Sequence, residues 1–163
     1  MRTWTGGMAL VLLSVAGVAA AQDGPNGPKC KAVHADLIED FSTVGCEPPS
    51  NACFLGEVDG NHGLRGTTRF DSDSGAGGPS TSPGFISYSG KFEYFTEHGT
   101  LIMRETGLAH PANGSQDDGV TAAFQRVVEG TDDFAGATGY FFVTGFNIGG
   151  HVVTKLTGTL CRP

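Results

Sequence analysis

The chain has 163 residues, with 10 Lys and Arg against 17 Asp and Glu, 26 glycines and a charged fraction of 17%. A net charge of −7 with no Lys/Arg cluster argues against nucleic acid and anionic membranes as partners. The glycine content and the scarcity of long Ala/Leu/Glu/Lys runs argue against a helical protein and leave short strands and tight turns.

At the start of the chain, Arg2, the uncharged apolar run Met8 to Ala20 and the small residues of Val18-Ala19-Ala20-Ala21-Gln22 follow the pattern of a cleaved export signal. The run is short for a bilayer span, and no later stretch is long and apolar enough for a membrane helix, so no membrane anchor is expected. The reading is a signal peptide over 1–21 with cleavage after Ala21, an N-terminal tail over 22–30 and a single domain over 31–163, secreted or periplasmic. Loss of Arg2 leaves 9 basic against 17 acidic side chains, a balance of −8 that suits small uncharged or cationic partners. The remaining 142 residues can bury roughly two-thirds of the surface of the unfolded chain.

Eight segments rich in β-branched or aromatic residues and bounded by Gly, Pro, Asn or Asp read as strands: 31–41, 53–60, 64–71, 84–95, 99–109, 119–129, 138–147 and 151–161. The first also suits a short amphipathic helix through Val33, Leu37, Ile38 and Phe41. Gly60-Asn61-His62-Gly63, Glu97-His98-Gly99, the stretch around Asn113-Gly114 and Gly149-Gly150 supply turn chemistry for successive hairpins. An even number of antiparallel strands can close into an up-and-down barrel, so the expected fold is an all-β, eight-stranded, disulfide-stabilised antiparallel barrel.

Four cysteines allow three pairings, and export favours disulfides over a metal site. In such a barrel the start of the first strand and the end of the eighth lie side by side, which pairs Cys30 with Cys161. Cys46 and Cys53 flank the first loop at the opposite rim. No C-x-x-C pair occurs, and no metal or cofactor is expected.

Gly130-Thr131-Asp132-Asp133-Phe134-Ala135-Gly136-Ala137-Thr138-Gly139 resembles the G-T-G-x-F-x-G-A-x-G turn of the dirigent and allene oxide cyclase-like barrels. Tyr88 to Phe95 followed by His98-Gly99-Thr100-Leu101 is similar to their strand, turn and strand order. The resemblance covers about Phe85 to Cys161. It implies an eight-stranded barrel able to hold one small hydrophobic molecule, in families that steer cyclisation or coupling without a cofactor and often form dimers or trimers. It carries over no catalytic residue.

Tyr88, Phe92 and Tyr94 share one face of the fourth strand, and Tyr140, Phe142 and Phe146 one face of the seventh. Facing inward, the six would line an apolar ligand pocket with phenolic hydroxyls for orientation. A filled core competes with that reading, because eight strands enclose little more than their own side chains. With a turn centred near Ser115, Glu105 and Arg126 become cross-strand neighbours, either as a plain ion pair or as a general acid or base beside a cation for an anionic intermediate. Glu57, Arg65, Arg69 and Glu93 read as solvated. Asp71-Ser72-Asp73-Ser74-Gly75 begins like a calcium loop but lacks the later ligands, and Gly75 to Ser82 reads as a rim loop. Asn113-Gly114-Ser115 is a glycosylation acceptor in a eukaryotic source.

Three functions are therefore expected to compete. One is an exported barrel that binds a small apolar ligand or serves as a stable extracellular module. A second is a cofactor-free cyclase or isomerase. The third is a protein-interaction or assembly module, a homo-oligomer.

Overall fold

In the computed structural model, residues 27–46, 52–112 and 115–163 are described. The expected signal segment, its cleavage point and Asn113-Gly114 lie outside them. Eight strands run in chain order: β1 (Lys29–Ser42), β2 (Ala52–Gly60), β3 (Arg65–Gly77), β4 (Ile86–Thr96), β5 (Gly99–Ala112), β6 (Ser115–Gly130), β7 (Thr138–Ile148) and β8 (His151–Arg162). Each is antiparallel to the next, and β8 pairs with β1 to close the barrel.

The first segment is a strand. Val33, Ala35, Leu37 and Glu39 are buried while the residues between them are exposed, a period of two that only a strand delivers. The 3-10 turn η1 (Asp132–Phe134) is the one helical element among the described residues.

The lower end carries the β2–β3, β4–β5 and β6–β7 connections and the Cys30–Cys161 disulfide, which joins residues paired directly across β1 and β8. The upper end carries the remaining turns and the Cys46–Cys53 disulfide. The lower half is packed solid. Phe134 is fully buried beneath Leu64, Leu101 and Leu160, and the Arg162 guanidinium lies 4.5 Å from its ring centre. Gly130 is required for this plug, because a Cβ there would stand 2.3 Å from the carbonyl oxygen of Phe134. Above it, Phe92 and Tyr94 (ring centres 4.7 Å apart) pack with Met103, Phe141 and Leu156.

One sequence expectation fails in register. A turn symmetric about Ser115 would set Glu105 against Arg126, but the β5–β6 ladder is irregular between Pro111 and Ala112 and pairs Glu105 with Gln125. A shift of one residue exchanges the two faces of a strand. Arg126 therefore stands outside the barrel, opposite Arg104.

Candidate functional site

Above the packed half, a cavity of about 510 Å³ opens at the upper rim. Its walls are mostly apolar, with Phe54, Phe70, Ile86, Ala109 and Val152, and Phe41 and Asp117 stand at the mouth. Eight-stranded barrels usually fill their interior. Here small residues at three inward positions make room. Gly107 of β5 is paired with Tyr88, and a Cβ on it would stand 2.4 Å from the phenol carbon and oxygen. The Tyr88 ring lies across that glycine, edge-on to Phe70 at 5.7 Å. Gly90 does the same for Phe70. Gly56, opposite Glu39, leaves space for that side chain.

The deepest lining residues of β1 and β5 are two carboxyls, Glu39 and Glu105, each under a tenth exposed. Both are glutamates within otherwise apolar alternations: Val33, Ala35, Leu37, Glu39 on β1, and Leu101, Met103, Glu105 on β5. Glu105 is held. The Gln125 side-chain amide donates to its Oε2, and Gln125 Oε1 in turn accepts from the Tyr94 hydroxyl at 2.5 Å. The Tyr88 hydroxyl also hydrogen-bonds Glu105 and lies 3.1 Å from Thr121 Oγ1. Burial pushes Glu105 up to about 7, although the Gln125 and Tyr88 hydrogen bonds favour its anion. Glu39 is raised well above the carboxylate range, first by burial and then by the charge of Glu105, and its Oε1 is buried without a hydrogen-bond partner. Tyr88 and Tyr94 are pushed upward by burial and by the two glutamates, so both stay protonated as donors.

This arrangement can accept a hydrogen bond or a positive charge at the floor, and each carboxyl can hold a proton there. Neutralising one carboxyl relieves the other, as expected for buried like charges.

The sequence-predicted site residues divide. Tyr88 lines the cavity, Phe92 and Tyr94 lie inside the barrel beneath it, and Glu105 forms part of the floor. Tyr140, Phe142 and Phe146 do not contribute. They point outward, at 44%, 51% and 57% exposure, while Phe141 and Val143 take the inner positions of β7. Tyr140 and Phe142 join Phe124 in an outer aromatic cluster with ring centres 5.4–6.1 Å apart. Arg126 is likewise external. Glu39, Gln125, Phe70 and Thr121 complete the site and were not singled out from the sequence.

Arg69 and Glu93, read above as solvated, form a largely buried outer-face pair at 2.5 Å, with Asp71 3.1 Å from Arg69. Asp71 and Asp73 sit within β3, and Asp73 pairs with Arg104, so the calcium-like run faces arginines. Cys46, Cys53 and Asp71 also gather closely, but both sulfurs are joined in the disulfide and supply no thiolate. Compared with family models, curated proteins and solved structures, the chain matches none.

Proposed function

We propose that this barrel binds a small, largely apolar molecule in its upper cavity and acts outside the reducing cytosol. The observation that carries this reading is the cavity itself: about 510 Å³ of space with apolar walls and polar groups converging at its base, above a half-barrel packed solid. The two disulfides suit an oxidising compartment, in line with the export signal read at residues 1–21. The test is uptake of Nile red, a neutral apolar dye, read by fluorescence. Ala109→Trp fills the cavity from β5. Dye binding by the parent protein that is lost in a folded Ala109→Trp variant supports the reading. Equal binding by both would move the site elsewhere and overturn it.

A second reading, cofactor-free isomerisation or cyclisation through proton transfer, is favoured by the pair of buried glutamates beside Tyr88. A buried carboxylate base is assayed with 5-nitrobenzisoxazole, from which it removes the C3 proton as the N–O bond opens. Turnover that rises through about pH 7 and disappears in Glu105→Gln supports this chemistry. A rate equal to that of buffer counts against it.

A further inference from the structure

Several features of the molecule lie outside that reading. The lower rim gathers Lys29, Lys31, His62, His98 and Arg162 around a shallow pocket of about 240 Å³. There Arg162 already donates to the His62 carbonyl at 2.7 Å, and His98 lies 3.0 Å from Asp133. The outer aromatic cluster on β6 and β7 has nothing that identifies what would cover it. The cavity floor holds the stronger observation, a carboxylate oxygen with no partner.

We infer that the molecule the cavity accepts carries a protonated amine, seated at the floor against Glu39 and Glu105 with its apolar body along Phe54, Phe70 and Tyr88. This rests on the cavity-binding reading and specifies its ligand class.

Two observations lead to it. Glu39 is 7% exposed and its Oε1 is buried with no hydrogen-bond partner, although it lines open space. A buried acceptor left unsatisfied is costly, and a turn of the Glu39 carboxyl toward the cavity it lines would let an arriving donor remove that cost. Among the described residues the lining includes three carboxyls, Glu39, Glu105 and Asp117, and no Lys, Arg or His. A ligand bearing a carboxylate would therefore meet like charge and no counter-ion. A neutral alcohol could donate to Glu39 but would gain nothing from the charge, whereas an ammonium group gains both and can also lie against the aromatic faces of the wall. A hard divalent cation needs several oxygen ligands converging on one point, and among the described residues Glu39, Glu105 and Asp117 form no such group.

The titratable groups facing the two glutamates are Tyr88 and Tyr94 from β4 and, at the mouth, Asp117 of β6. The inner positions of β2, β3, β7 and β8 add none. Because both tyrosines stay neutral, the charge of the floor is set by the glutamates alone. Amine affinity should therefore rise from pH 5 to pH 8, as the floor loses protons while the amine keeps its own.

Calorimetric titration of the oxidised protein with three probes of one skeleton, 4-phenylbutylamine, 4-phenylbutanol and 4-phenylbutyrate, tests the inference. At pH 8 the amine should bind at least tenfold tighter than the alcohol, and the acid weakest. Glu39→Gln, isosteric and checked for fold by circular dichroism, should bring the amine-to-alcohol ratio within twofold. Should that variant misfold, Glu105→Gln and the pH series on the unaltered protein decide. Alcohol binding equal to or tighter than amine binding overturns this inference and leaves the cavity reading standing. An amine preference that survives both substitutions overturns it as well. If none of the probes binds and Nile red is also refused, the cavity reading falls with it.

Discussion

Gln125 stands directly across the β5–β6 ladder from Glu105 and donates its side-chain amide to that carboxylate, while its carbonyl oxygen accepts from Tyr94. The amide is thereby fixed in one orientation, and the buried tyrosine, glutamine and glutamate form a chain leading from the packed half of the barrel into the cavity. Replacing Gln125 with Leu leaves the Tyr94 hydroxyl without its acceptor and Glu105 without a donor. The expected loss is about 1–3 kcal/mol in urea unfolding. A variant as stable as the parent would show that the chain contributes nothing.

The pH dependence of stability follows from the same floor. The folded-state pKa of Glu105 is raised from 4.5 to about 7, and that of Glu39 is raised too. A carboxyl raised on folding holds its proton more tightly in the native state. Its favourable contribution is complete below the unfolded value and is lost as pH climbs through the folded one. Unfolding free energy should therefore decline between about pH 4.5 and 7, by up to about 1.4 kcal/mol per unit for each titrating group. Glu105→Gln should flatten that slope. A parent protein whose stability rises across this interval would contradict the buried placement of both glutamates.

The two disulfides close loops of very different size, with sequence separations of 131 and 7. In the chain-entropy description the first is worth about 5 kcal/mol and the second about 2.5. Thermal melts of the Cys30→Ser/Cys161→Ser and Cys46→Ser/Cys53→Ser variants should show the larger drop for the first pair. The reverse order would indicate that the barrel seam is held by the β1–β8 ladder alone.

The outer position of the β7 aromatics is tested by substitution. Phe142→Ser and Phe146→Ser, on side chains more than half exposed, should leave Nile red binding unchanged and cost under about 1 kcal/mol. Phe70→Ala, at a buried wall of the cavity, should cost about 3–5 kcal/mol. Loss of dye binding in either β7 variant would mean that these rings reach the ligand.

Much of this architecture is legible in the residues, and the places where it is not are informative. Strand number and order follow from turn residues that interrupt β-branched runs, and the barrel closure inferred from them aligns Cys30 with Cys161. The inward face of β4 is readable because Tyr88, Phe92 and Tyr94 alternate with Ser89, Lys91 and Glu93, which mark an outer surface. On β7 the signal vanishes: Phe141 and Val143 are as apolar as Tyr140, Phe142 and Phe146, so hydrophobicity does not determine which set faces in. That parity comes from pairing with β6 and β8, a tertiary property. Arg126 departs from the sequence expectation for a related reason, since an irregularity near the β5–β6 turn shifts the ladder by one residue. Glu39 carries no distinguishing sequence signal, because a carboxyl at the end of an apolar alternation reads as the point where a strand reaches water. Here it marks the bottom of a cavity.

The Phe134 plug leaves this cavity a blind tube: the lower end is sealed, so whatever goes in must come out by the same mouth. Below a rim that carries Asp117, an apolar collar lies above the innermost carboxyls, those of Glu39 and Glu105. A molecule can satisfy both only by entering head first, and any length of tail beyond the collar simply protrudes. On the binding reading proposed above, such a tube would discriminate by the group that reaches its base and tolerate variation at the other end, so ligands of different chain length but the same head would compete for it on nearly equal terms.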